Sequence, residues 1–179
     1  TYVLEARIGL MRSYRKLSQA EDCIKYSSLV EQDEKVSNSI KLEAQLLKGL
    51  SYFDLYQYDK ANEAFVKVEA LTNNEIGAQA KYHIAYILYL KENYDESVNQ
   101  VYDLAKNYPT YKKWVTKGFL LMSDNFIKQE DFFQAKYILK TVTENYEGAD
   151  LVEEANNKLK KIEELEKAKL EVVDDKPAD

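Results

Sequence analysis

The chain carries three arginines, Arg7, Arg12 and Arg15, all near its start. Arg12, Arg15 and Lys16 fall three and four residues apart, which on a helix puts them on one face. Guanidinium groups suit bidentate recognition of carboxylates. Tyr82, Tyr86 and Tyr89 have the same helical spacing and are drawn from 15 tyrosines. Such a stripe is either inter-helix packing or a recognition surface. Chemistry of other kinds lacks its parts. His83 is the single histidine, so a histidine metal pair cannot form, and a lone histidine reads as a solvated or core residue. Cys23 is the single cysteine, which excludes an internal disulfide framework. It falls at a repeated small position, so packing is its expected role. Acidic neighbours such as Asp95/Glu96 and Glu153/Glu154 point apart on a helix and do not converge as an acid–base pair. The five glycines are isolated, with no phosphate-cradling motif. These residues predict no catalysis, no cofactor and no metal.

The net charge of −6 argues against nucleic acid, whose phosphates require clustered cations. No apolar run approaches the ~20 residues of a membrane-spanning helix. No stretch of this sequence reads as a signal peptide. The chain opens on Thr1 and closes on "DDKPAD", and it reads as part of a longer protein. Hydrophobic residues make up 45%, enough for a substantial core, and only 2 prolines interrupt it.

The elements that position these residues come from an internal repeat. Small residues recur at Cys23, Ala61, Ser97 and Ala135, every 36 to 38 residues. Three residues before them stand Ala20, Tyr58, Tyr94 and Phe132; four after stand Ser27, Phe65, Val101 and Leu139. A second small position holds Ala6, Ala44, Ala80 and Gly118 and recurs at Ala155. A third holds Met11, Gly49, Ala85 and Ser123. Glycine within a helix costs roughly 0.5–1 kcal/mol relative to alanine. Gly49 is therefore expected where two helices cross closely. Apolar residues at three and four spacing predict helices over 2–17, 20–32, 38–56, 58–71, 75–91, 94–107, 110–128, 131–145 and 149–170. The breaks "TNNE", "YPT" and "YEGAD" carry turn chemistry. The units are expected at about 1–35, 36–73, 74–109 and 110–147, within a domain over 1–170. The ninth helix bears a narrow stripe of Leu151, Ala155, Leu159, Ile162 and Leu165, which predicts a polar-faced capping helix, with a coiled-coil start as the alternative. Residues 171–179 read as a disordered tail.

Gly49, Tyr52, Ala61 and Phe65, with Ala85, Ser97, Val101 and Pro109, resemble the tetratricopeptide repeat (TPR), a helix–turn–helix unit of about 34 residues. The resemblance covers nearly the whole chain. It departs in its longer period and in lacking the usual early tryptophan. The segments "NYPTYKKWVTKG" and "NYEGADLVEEA" are similar to bacterial cell-envelope members of the family, which implies a periplasmic setting more than a cytoplasmic one. The resemblance implies an all-α, right-handed superhelical array of four hairpins plus the cap. It also implies that the first helix of each unit lines a concave groove. That lining is expected from Ile8, Arg12 and Arg15; Leu46, Leu50 and Phe53; Tyr82, Tyr86 and Tyr89; and Leu120, Asp124 and Ile127. The lysine–asparagine set of chaperone-tail receptors is not found. The implied function is a non-catalytic scaffold binding a protein or peptide segment at Arg12, Arg15, Leu46, Leu50, Phe53, Tyr82, Tyr86 and Tyr89. A structural spacer is the alternative, in which the tyrosines pack between repeats. The arginines serve either a partner site or contact with a preceding repeat.

Overall fold

Close helix crossings at small residues organise the chain. The structure, a computed structural model, describes residues 2–174. These form nine helices: α1 (Tyr2–Lys16), α2 (Ala20–Glu31), α3 (Asn38–Asp54), α4 (Tyr58–Leu71), α5 (Glu75–Leu90), α6 (Tyr94–Asn107), α7 (Lys112–Lys128), α8 (Phe132–Asn145) and α9 (Ala149–Asp174). Among the described residues there is no strand. Each helix packs on its neighbours in sequence. The odd-numbered helices also touch one another, α1 to α3 and onward to α9, whereas no even-numbered helix touches another among the described residues. Two layers result, and the odd-numbered layer is the tighter, inner one. The architecture is an all-helical array of hairpins closed by α9.

Both families of small positions work as crossings. A Cβ at Gly49 would lie 2.8 Å from Phe65 Cε1 and 3.1 Å from Ala64 Cβ, on the second helix of its own hairpin. A Cβ at Gly118 would lie 3.0 Å from Leu104 and 3.1 Å from Val101, on the second helix of the hairpin before. Ala44, Ala80 and Ala155, in the register of Gly118, have no exposed surface, and neither do Cys23, Ala61, Ser97 and Ala135. The aliphatic and aromatic residues following these small positions fill the space between. Phe65 and Val68 are fully buried with Leu46, Leu50 and Ile84. Burying a side chain such as Phe65 is worth ~1.5–3 kcal/mol. The core is a succession of such clusters, one at each hairpin junction.

The turn inside each hairpin repeats as faithfully as the crossings. Ser18, Tyr56, Glu92 and Glu130 all have left-handed backbone, with φ between 56 and 61°. Around each, two hydrogen bonds close the preceding helix. In the third unit Asn93 N–H donates to the Leu88 carbonyl at 2.9 Å and Glu92 N–H to the Tyr89 carbonyl at 3.0 Å. Gln19 and Ser18, Gln57 and Tyr56, and Asp131 and Glu130 do the same in the other units. This is the Schellman arrangement, which satisfies carbonyls left free at a helix end. It explains why α1 and α3 stop at Lys16 and Asp54, before the expected 17 and 56. At α7 the start moves from 110 to Lys112, because a turn at Pro109 and Thr110 places the Tyr111 N–H on the Tyr108 carbonyl. At the starts of α3 and α5 a side chain caps directly: Ser37 Oγ accepts from Ile40 N–H, and Asn74 Oδ1 accepts from Ile76 N–H at 2.9 Å.

The ninth helix buries Leu151, Ala155 and Ile162 against Leu139, Val142 and Leu120 of the fourth hairpin. Most of its stripe is therefore spent within the chain, as a cap requires, with Leu165 left exposed. Lys136 of α8 pairs with Glu166 at 2.7 Å, carrying the contact another turn. The helix runs to Asp174, so 171–174 continue it; the rest of the tail expected over 171–179 lies outside the described residues. Among the described residues, no helix is long and apolar enough to cross a membrane.

Three substitutions test this account of the crossings and turns. Gly49→Ala should lower unfolding stability by ~1–3 kcal/mol, the usual cost of overpacking. Gly9→Ala, where an added Cβ meets nothing within 4 Å, should raise it by ~0.5–1 kcal/mol through helix propensity. Changes of the same sign in urea titrations would contradict the crossing at Gly49. Glu92→Gly should be stabilising by up to ~1 kcal/mol, because left-handed backbone costs an L-residue ~1–2 kcal/mol and glycine's chain entropy returns part of it. A destabilised Glu92→Gly would show that the Glu92 side chain contributes more than its strained backbone costs.

Candidate functional site

Helical spacing puts Tyr82, Tyr86 and Tyr89 on one face of α5, and the inner layer turns that face toward α7 and α9. The three tyrosines line a cleft of about 360 Å³ together with Lys117, Leu120, Leu121 and Asp124 of α7 and Glu154 and Lys158 of α9. The volume falls at the lower end of the range for ligand clefts. The tyrosines are half-buried, packed at their bases on Ala85, Val101, Leu121 and Met122. Their ring centroids follow one another at 6.0 Å for Tyr82–Tyr86 and 6.1 Å for Tyr86–Tyr89. Phe53 of α3 meets the middle ring, 5.5 Å from Tyr86, and Trp114 of α7 adjoins one end, 5.6 Å from Tyr82. The aromatic row thus joins three successive odd-numbered helices.

The polar side of the cleft is built by α7 and α9. Lys158 reaches Asp124 Oδ1 at 2.6 Å and Glu154 Oε1 at 3.5 Å. Burial raises the Asp124 pKa, and the Lys158 charge and hydrogen bond pull against that rise. Burial also raises the phenols of Tyr82 and Tyr89, each reinforced by the negative charge of Asp124. Both phenols are therefore neutral hydrogen-bond donors at neutral pH. Lys117 lies with its ammonium 4.9 Å from the centre of the Trp114 ring, a cation–π geometry.

His83 sits behind the row. Its ring is 5.0 Å from Phe65, 5.2 Å from Tyr82 and 5.6 Å from Phe53, and Nδ1 is 2.8 Å from the Gln79 carbonyl. Burial is the main cause of a pKa lowered to about 4, with the Gln79 bond opposing and Lys117 and Arg15 adding to the drop. The ring is neutral at pH 7, donates to Gln79 through Nδ1, and serves as an aromatic filler. Among the described residues no group of three histidine, cysteine or acidic side chains converges to hold a metal. Cys23 is buried at its helix crossing.

The eight expected binding residues divide into three groups. Tyr82, Tyr86 and Tyr89 line the cleft, and Phe53 abuts them. Leu46 and Leu50 are 5% and 8% exposed and belong to the core between the second and third hairpins, so they are corrected from surface to core. Each packs into the seam that α3 makes with its neighbours, which leaves little of either for a ligand. Arg12 and Arg15 are engaged by α3: Arg12 Nε and Nη2 donate to the two Glu43 oxygens at 2.7 and 2.6 Å, and Arg15 pairs with Asp54. They pin α1 to α3 rather than forming an open cationic end. The contributions of Lys117, Glu154 and Lys158 were not expected from sequence. The repeat spacing that placed Asp124 on the inner layer could have pointed to Lys117, seven positions before Asp124 and one before Gly118.

Acid should expose the burial of His83. Its folded pKa of about 4 lies below the ordinary 6.5, so the unfolded chain takes up the proton first. The stability this neutral ring contributes is complete above about pH 6.5 and is lost as pH falls toward 4. His83→Leu should therefore flatten the decline of Tm between pH 6.5 and 4.5, measured by calorimetry. An unchanged decline would mean that His83 titrates normally.

No protein-family model matches this chain, and no curated protein matches it either.

Proposed function

We propose that the chain is a TPR-type scaffold that performs no reaction, needs no cofactor and binds no nucleic acid, and that holds a peptide or protein segment in the cleft between α5, α7 and α9. The observation that carries this reading is the alignment of Tyr82, Tyr86 and Tyr89 along one cleft. Tyrosine offers a large, rigid and amphipathic contact area with little rotamer entropy to lose, which suits it to recognition. The rings would seat apolar anchors, and the neutral phenols would donate to main-chain carbonyls. Lys117 is the cation best placed to meet an acid on the ligand, because Lys158 is already shared between Asp124 and Glu154. Arg12 and Arg15 would join such a site only by exchanging Glu43 and Asp54 for a ligand's acid. The bacterial cell envelope is the setting suggested by the linker sequences. One observation favours the spacer alternative: the rings contact one another as continuously as a packed seam would, from Phe53 to Trp114.

Photo-crosslinking separates the two readings. A benzophenone amino acid at Tyr89 should capture a discrete partner in cells, whereas the same group at Tyr137, on the outer layer and 66% exposed, should not. Tyr86→Ala should weaken that partner by ~2 kcal/mol or more, as loss of an aromatic anchor does, with Tm little changed. Loss of folding in Tyr86→Ala, or equal capture at both positions, would favour the spacer.

A further inference from the structure

The face of α1 opposite its own hairpin is apolar and uncovered. Tyr2 is 87% exposed, Val3 64%, Leu10 37% and Leu17 68%; Ala6 is exposed and Gly9 has nothing near it. These residues share the helix positions by which α3, α5 and α7 meet the second helix of the preceding hairpin. Ala6 has the register of Ala44, Ala80 and Gly118, all buried, and Gly118 lies against Val101 and Leu104 of α6. Leu10 has the register of Ile84 and Met122, which are buried as well. At three junctions the array thus displays what covers this face: α2, α4 or α6, each with a small residue followed by side chains packed four and seven positions on.

Charge adds a second match. Arg7 of α1 has the register of Lys81 of α5. Lys81 takes an acid from each side, Asp103 of α6 at 3.5 Å and Glu69 of the preceding α4 at 3.8 Å. Arg7 has its forward acid, Asp33, at 3.9 Å. The acid on the preceding helix stands eight positions after the small residue, as Glu69 in α4 and as Glu31 in α2, where it pairs with Lys48.

We infer that the α1 face is an interaction surface for one more hairpin of the same kind. Its second helix crosses α1 at Ala6 with a small residue, covers Gly9 and Leu10 with aliphatic side chains, and brings an acid to Arg7.

The test extends the full chain. A copy of residues 36–74, fused directly before Thr1, places a second α4, with its Glu69, in the register that precedes α5. Circular dichroism should show added helix. Amide exchange in α1 should slow at least ten-fold relative to the unextended chain. Leu10→Glu should leave the unextended chain folded but abolish that protection in the extended one. An extension that gains no helix, or that leaves α1 exchange unchanged, overturns the inference. Sedimentation velocity of the unextended chain supplies the remaining outcome. A monomer across concentration is expected, and a dimer dispersed by Leu10→Glu would assign the face to a second copy instead.

Discussion

Everything in this array depends on how closely two helix backbones approach at the small residues. Each hairpin after the first has one such crossing within itself, as at Gly49 over Phe65, and one toward the hairpin before, as at Gly118 over Leu104. The free energy comes from the large side chains beside the crossings, since Phe65, Leu104 and Leu139 are fully buried there. The small residues contribute geometry. They set the helix separation at which those side chains fill the gap without strain, and interiors packed at crystal-like density tolerate little deviation. Because the two crossings alternate along the chain, each first helix after α1 is clamped between two second helices. The first helices are drawn into mutual contact, and the second helices are kept apart.

That asymmetry creates the cleft. Side chains on the exposed face of an inner helix meet those of the next inner helix, so residues some 35 positions apart in sequence become neighbours. Lys158 reaches Asp124, and Trp114 meets Tyr82, by this route. The same route accounts for Arg12 on Glu43 and Arg15 on Asp54. Along the cleft, Asp124, Glu154 and Lys158 thus answer one another, and the phenols and Lys117 are the other polar groups of its lining. A surface of this composition discriminates by shape and hydrogen bonding more than by long-range attraction.

Much of the fold is legible in the sequence because a repeat states each constraint several times. The crossings could be read from Ala44, Ala80, Gly118 and Ala155, and the helix ends fall within two residues of expectation apart from the far end of α9. The hairpin turns were less legible. Their left-handed position is held by Ser18, Tyr56, Glu92 and Glu130, with no glycine to mark it, because two backbone hydrogen bonds and the packed helices on either side impose the conformation. Of the site, the tyrosine row follows from spacing alone. The fate of Leu46 and Leu50 does not, since a helix clamped on two sides buries more than one stripe. Ion pairs such as Lys158 with Asp124 require the superposition of one unit on the next, which a single helix pattern does not contain.

The two ends of the array are chemically unlike. At one end α9 presents Glu153, Asn157, Lys160, Glu164 and Lys167 to solvent and has buried most of its apolar stripe. A repeat array needs such a polar terminus, since an uncovered apolar face would drive association. At the other end α1 presents Tyr2, Val3, Leu10 and Leu17. The same helix is nevertheless firmly tied on its inner side, through Met11 in the core and the arginine pairs to α3. A frayed end would be loosely held and variable in what it exposes; α1 is held in the same register as α3, α5 and α7. Its open face is therefore already shaped by contacts on the inner side, so a helix that docks there meets a surface whose ordering cost has been met within the array.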